Sequence, residues 1–208
     1  MKTILDNFRL EGNVTDVLPL GNGLINDTYR VLTDEGPDYV LQRINHAIFK
    51  DVELLQNNIE AVTTHIRAKL EAAGEADVRR KVLKFIPLKE DSKTYWFDGT
   101  SYWRVSELIE DSMTIETVNP EYSYYAGRAF GNFQSMLADI PVQLGETIPD
   151  FHNMELRARQ LKEAMDADAA GRASMEEVHD IYAQMQEYME QMCQAEQMHR
   201  DGILPKRV

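Results

Sequence analysis

Gly21-Asn22-Gly23 stands between two apolar, β-branched runs, Val14–Leu20 and Thr28–Leu32, and so falls at the tip of a hairpin. Glycine loops of the Walker and dinucleotide types pass the phosphate to the N-terminus of a following helix, and no helix follows here. A glycine hairpin can instead lie over phosphates, because missing side chains let backbone N–H groups approach the oxygens. An ordinary hairpin turn uses the same residues. Arg43, near the end of the next strand, Asp38–Ile44, supplies a cation, and Glu60 on the helical stretch beyond it supplies an acid. Such a pair keeps the cation aimed at α and β phosphates, although Glu53 could take the acid's part. An arginine there grips as a fork where lysine would act as a point charge. Trp103–Glu110 ends the strand-rich part of the chain, at a junction where exposed backbone could hydrogen-bond a purine.

Other chemistries find little footing. His46, His65, His152, His179 and His199 have no i, i+4 partner and no cysteine beside them, which argues against zinc. No G-x-S-x-G occurs, and Cys193 sits in a Met-rich helical stretch without a nearby base.

The elements that must position these residues change in kind about halfway along. Up to Leu108 the chain reads strand, strand, strand, helix, strand, strand, strand. The helix is Asp51–Leu70, whose Val52, Leu55, Ile59, Val62, Ile66 and Leu70 form one stripe. The last three strands are Val82–Leu88, Thr94–Phe97 and Ser101–Leu108, with a turn at Asp98-Gly99. This is an antiparallel α+β pattern and not βαβ alternation. Helices are predicted at Pro120–Leu137, with Tyr122, Tyr125, Ala129, Phe133 and Leu137 on one side, then at Met154–Ala170 and Ser174–His199. Ser174 with Glu177 reads as a capping box. Two parts are expected: 1–108, and an incomplete helical part over 109–208.

Among the 208 residues, 35 acidic side chains outweigh 22 basic ones, a net charge of −13 that excludes a nucleic-acid footprint and a polybasic membrane surface. No apolar run approaches the ~18 residues of a membrane span, and Met1–Leu10 lacks the apolar core of a signal peptide. A single cysteine suits a cytoplasmic setting.

The stretch Pro19-Leu20-Gly21-Asn22-Gly23-Leu24-Ile25-Asn26-Asp27-Thr28-Tyr29, then Tyr39-Val40-Leu41-Gln42-Arg43-Ile44-Asn45, resembles the aminoglycoside phosphotransferase family, closest to its N-acetylhexosamine 1-kinase branch. Tyr102-Trp103-Arg104-Val105, Phe130-Gly131-Asn132-Phe133 and Ile148-Pro149-Asp150-Phe151-His152 continue the likeness in order. The resemblance implies a protein-kinase-like α+β fold: an antiparallel sheet lobe with one inserted helix, a hinge, and a helical lobe. It implies an ATP- and magnesium-dependent kinase for a small-molecule acceptor, here a sugar. Gly21, Asn22, Gly23, Asn26, Asp27 and Thr28 would cover the phosphates, Arg43 with Glu60 would grip them, and Glu107, Leu108 and Ile109 would form the adenine hinge. His152 would lie near the acceptor. Leu24 stands where several family members carry histidine.

The family's catalytic loop, H-x-D-x-x-x-N, has no counterpart in the chain. His199-Arg200-Asp201 runs into Gly202-Ile203-Leu204 without the asparagine. Catalytic base and magnesium ligands are therefore expected beyond Val208, and the 208 residues are expected to be inactive alone. A truncated helical lobe would leave apolar surface for a homodimer to cover. Two other readings stay open: a non-catalytic kinase-like binding or regulatory module, and a family kinase for an aminoglycoside, homoserine or choline-like amino alcohol.

Overall fold

A computed structural model describes all residues except Asn22, Glu116 and 205–208. It divides into two units, Met1–Thr147 and Ile148–Arg207. The first holds a five-stranded, wholly antiparallel sheet: β1 (Val14–Pro19), β2 (Asp27–Thr33), β3 (Tyr39–Ile44), β4 (Tyr95–Phe97) and β5 (Tyr102–Glu107). Their spatial order is β1-β2-β3-β5-β4. A short helix α1 (Lys2–Leu5) precedes the sheet. Helix α2 (Val52–Ala72) and the single turn α3 (Val78–Lys81) lie between β3 and β4, and α4 (Pro120–Leu137) follows β5. This is the expected α+β architecture, an antiparallel sheet with an inserted helix and then helices.

Alternation sorts every strand side chain onto one of two faces. Val31, Tyr39, Leu41, Trp103 and Val105 share one face and pack on Leu5, Phe8, Ile86 and Leu88. The N-terminal arm is stitched there by a bridge between Phe8 and Leu88 and by Arg9 N–H donating to the Pro87 carbonyl at 3.0 Å. The opposite face carries Ile44 and Tyr102, which pack on Val52 and Leu55 of α2. Helix α2 starts where the Asp51 carboxylate accepts from Leu54 N–H at 2.8 Å. Its far half joins Val82 and Leu137 through Ile66.

Two expectations need correction. Val82–Leu88 is not a strand: it makes one bridge, Phe85 to Ser106, with Ile86 N–H to Val105 O at 2.9 Å and Glu107 N–H to Lys84 O at 3.0 Å. β4 already occupies the same edge of β5 at Tyr102–Arg104, and Pro87 has no N–H to extend the ladder. Second, Ser174 does not cap the last helix, whose N-cap is Met175 with no side-chain bond. Helix α4 has its expected bounds but buries only Leu137, and Tyr122, Tyr125 and Phe133 are exposed.

The second unit is a pair of helices, α5 (Met154–Ala167) and α6 (Glu176–Arg200). Asn153 caps α5, and Arg200 at the end of α6 returns to Glu155 at its start, with N–O distances of 2.8 and 2.5 Å. Among the described residues, no helix is long and apolar enough to cross a membrane.

The β4–β5 turn carries an acid-sensitive lock. Asp98 accepts from Ser101 N–H (2.7 Å), the Trp103 indole N–H (2.7 Å) and Thr100 N–H (2.8 Å). These bonds, that of Ser101 foremost, hold its carboxyl below the ordinary 3.8. A depressed pKa means the contribution is complete above that ordinary value and is lost as pH falls through the folded one. Tryptophan fluorescence should therefore shift on acidification below about pH 4. Asp98→Asn should remove that step, and an unchanged acid profile in the variant would show that the turn does not depend on the carboxylate.

Candidate functional site

The hairpin tip leaves β1 with Leu20 N–H donating to Thr28 O at 2.9 Å. Gly21 sits at φ +70°, a left-handed conformation that glycine adopts without penalty. Gly23 is needed for a different reason. A Cβ there would lie 2.6 Å from the Asn26 carbonyl oxygen, too close for any side chain. Asn22 lies outside the described residues. Leu24 is fully exposed, while the Asn26 side chain accepts from Asn45 N–H at 2.9 Å and so ties the tip to the end of β3.

Arg43 does not meet Glu60 or Glu53. Its partner is Asp27, directly across the β2–β3 ladder, with Nε donating to the carboxylate at 2.6 Å. The reason is strand parity. Arg43 is two residues from Leu41 and shares its face, whereas α2 covers the face of Gln42 and Ile44. About half of each partner's side chain remains exposed. Glu60 accepts instead from the Thr94 hydroxyl.

The cation that does face α2 is Arg104, on β5. Ladder registers place Thr28 opposite Gln42 and Gln42 opposite Arg104, one polar row across three strands. Gln42 Nε2 donates to Thr28 Oγ1 (3.1 Å), and Arg104 Nε donates to Gln42 Oε1 (3.0 Å). Arg104 Nη1 donates to Gln56 Oε1 of α2 (3.0 Å), and Gln56 Nε2 donates to Thr94 Oγ1 (2.9 Å). Thr94 then donates to Glu60, so a cation and an acid are joined through two neutral side chains. Burial pushes the Arg104 pKa down to about 10, which leaves it charged at neutral pH. Sequence reasoning missed this row. Gln56 occupies a position of the buried α2 stripe, four residues after Val52, and a polar residue there was the available signal.

Two residues along each strand, the same face opens into a recess of about 390 Å³. Leu20 and Arg30 line one side and residues 108–112 the other. Arg30 is held by Asp38, with Nη2 at 2.6 Å, and Leu108 N–H donates to Asp38 O at 2.9 Å. Leu20, Leu108 and Ile109 thus border one recess. Glu107 contributes no side chain: it points to the Tyr39 face, where Arg79 Nε (2.8 Å) and Lys84 Nζ (2.6 Å) hold its buried carboxylate. Asp27 and Arg43 line a separate recess of about 260 Å³ with His46 and Ser101. His152 belongs to the second unit, its ring edge-on to Phe151 at 4.7 Å.

Among the described residues, no three His, Cys, Asp or Glu side chains converge in a group that could hold a metal ion.

No protein-family model matches the chain. Among solved structures, one that is similar is the crystal structure of spectinomycin phosphotransferase in complex with ADP and spectinomycin. The TM-score is 0.49 and the identity 11%. The alignment covers 99% of this chain and 58% of that one, so the chain spans a little over half of that protein's length.

Proposed function

We propose that the first unit is the nucleotide-gripping lobe of an ATP-dependent small-molecule phosphotransferase. The observation that carries this reading is the recess between Leu20 and residues 108–112, on the α2 face of the sheet and next to the glycine hairpin. Its volume suits a small ligand, for which pockets run to ~300–1,000 Å³. A purine would lie between Leu20 and Leu108–Ile109, with backbone groups of the 108–112 segment at its edge. The phosphates would then run beneath Gly21 and Gly23, where no side chain keeps the backbone N–H groups away. Asn26 and Thr28 anchor that turn to β3, through Asn45 and Gln42. Nucleotide bound there supplies the phosphoryl group; these residues bind and orient it.

The motifs around Ile25–Tyr29 and Leu41–Asn45 support a sugar of the N-acetylhexosamine type as acceptor. Because the 208 residues contain no H-x-D-x-x-x-N pattern, they should bind nucleotide without transferring its phosphate. Isothermal titration of the chain with ADP tests the reading. Saturable binding is expected, weakened at least tenfold (about 1.4 kcal/mol) by Leu20→Glu, which sets a carboxylate against the nucleotide's own charge. A folded protein that gives no signal with ADP would overturn the nucleotide reading in favour of a lobe with no nucleotide role.

A further inference from the structure

We infer that Arg104 of β5, and not Arg43 of β3, is the cation that receives the nucleotide's phosphates. This rests on the reading of the recess as a nucleotide seat and adds a binding residue to it.

The first argument is position. Arg30 pairs across the ladder with Val40, and Val40 with Ser106; Thr28 pairs with Gln42, and Gln42 with Arg104. These are adjacent rows of one face, two residues apart on each strand, so about 7 Å separates them. The Arg30 row borders the recess, and the Arg104 row is the next one toward α2. A ligand whose base fills the recess and whose chain runs toward α2 crosses the second row. Arg43 projects from the other face and is already neutralised by Asp27.

Charge is the second. Arg30, Arg43, Arg79 and Arg200 each hold a carboxylate. Arg104 is partly buried, yet among the described residues it makes no ion pair; both of its side-chain hydrogen-bond partners are neutral glutamines. Drawing a cation partly out of water without a counter-ion is costly, and an arriving anion offsets that cost. Burial lowers its pKa, the direction expected of a cation drawn from water.

The third is preorganisation. Gln42 and Gln56 engage two N–H groups of a guanidinium that has five. The Phe85 ring centre lies 5.5 Å from its central carbon. The fork is fixed in place with donors to spare, which is what recognition of a phosphate requires.

Titrations of the full chain with ADP, adenosine and inorganic tripolyphosphate separate the possibilities, with circular dichroism melts as a check on folding. Arg104→Gln should weaken ADP and tripolyphosphate at least tenfold and leave adenosine within twofold. Arg43→Gln should leave all three within about twofold. Arg104→Lys, which keeps the charge, should retain most of the ADP affinity, and it carries the test if the glutamine variant does not fold. Equal losses for ADP and adenosine in a folded Arg104 variant would make the residue merely structural and overturn the inference. A loss selective for ADP in Arg43→Gln would do the same. If the unaltered chain binds neither ADP nor adenosine, the nucleotide reading falls. Arg104-dependent binding of tripolyphosphate would then still uphold the anion seat, and its absence would remove that too.

Discussion

Replacing Phe8 by alanine should cost the first unit about 3–5 kcal/mol, the range for deleting a buried aromatic ring. Phe8 is 0% exposed and sits among Leu5, Leu41, Val105 and Leu88 although it belongs to an arm that precedes every strand. Its backbone neighbours are also committed: Arg9 N–H reaches Pro87 O, and Lys89 N–H reaches Asn7 O at 2.8 Å. Loss of the ring therefore empties a cavity and loosens the 82–89 segment that lies along β5. Folded domains have only about 5–15 kcal/mol in hand, so the variant should be partly unfolded at physiological temperature. Urea unfolding followed by tryptophan fluorescence reads this unit specifically, because the chain's two tryptophans, Trp96 and Trp103, are both in its sheet. Phe8→Leu should lose less than about 1.5 kcal/mol. A loss below about 1 kcal/mol in the alanine variant would show that the arm is not part of the core.

Gly12→Ala should be the costliest glycine replacement. Gly12 holds φ +76°, and a Cβ there would fall 1.9 Å from the backbone oxygen of Glu35. Alanine in left-handed backbone costs about 1–2 kcal/mol. The displaced Glu35 backbone adds about 1–3 kcal/mol of overpacking, since a backbone carbonyl cannot turn aside as a flexible side chain can. The neighbouring bonds would strain with it: Asn13 N–H and Nδ2 donate to the Asp34 carboxylate at 2.7 and 2.9 Å. Gly21→Ala is the matched control. It has φ +70° but open space around the added carbon, so only the conformational part, about 1–2 kcal/mol, is expected. Equal urea midpoints for the two variants would sink the steric argument.

How much of this is legible in the sequence depends on range. Strands β1, β2 and β3 and helix α2 follow from local pattern, because turn residues and the stripe at Val52, Leu55 and Ile59 act over a few positions. Helix α4 has the bounds its pattern predicts, with Asn119 accepting from Tyr122 N–H and Pro120 in the first turn. What escapes is set by pairing at a distance. The burial of Phe8 depends on Leu88, and the position of Arg104 on Gln56, 48 residues away. The face of Arg43 is readable in principle, since Leu41 two residues earlier fixes the parity. Charge sign and distance along the chain point to Glu60, and parity points away from it. Leu108 and Ile109 line the recess beside Leu20, while Glu107, one residue earlier on the other face, is a buried anchor for Arg79 and Lys84.

The sheet's outer borders bear on how the molecule behaves in a crowd of its own copies. β1 slips register between Val14 and Asp16, carries an outward charge at Asp16 and ends at Pro19, which lacks the donor a docking strand would need. On the opposite border β4 is three residues long, and the 84–86 segment closes the remainder of β5. Neither margin offers an incoming chain a long, flat row of free amides, so growth into fibrils by adding strand to strand at an edge is obstructed on both sides.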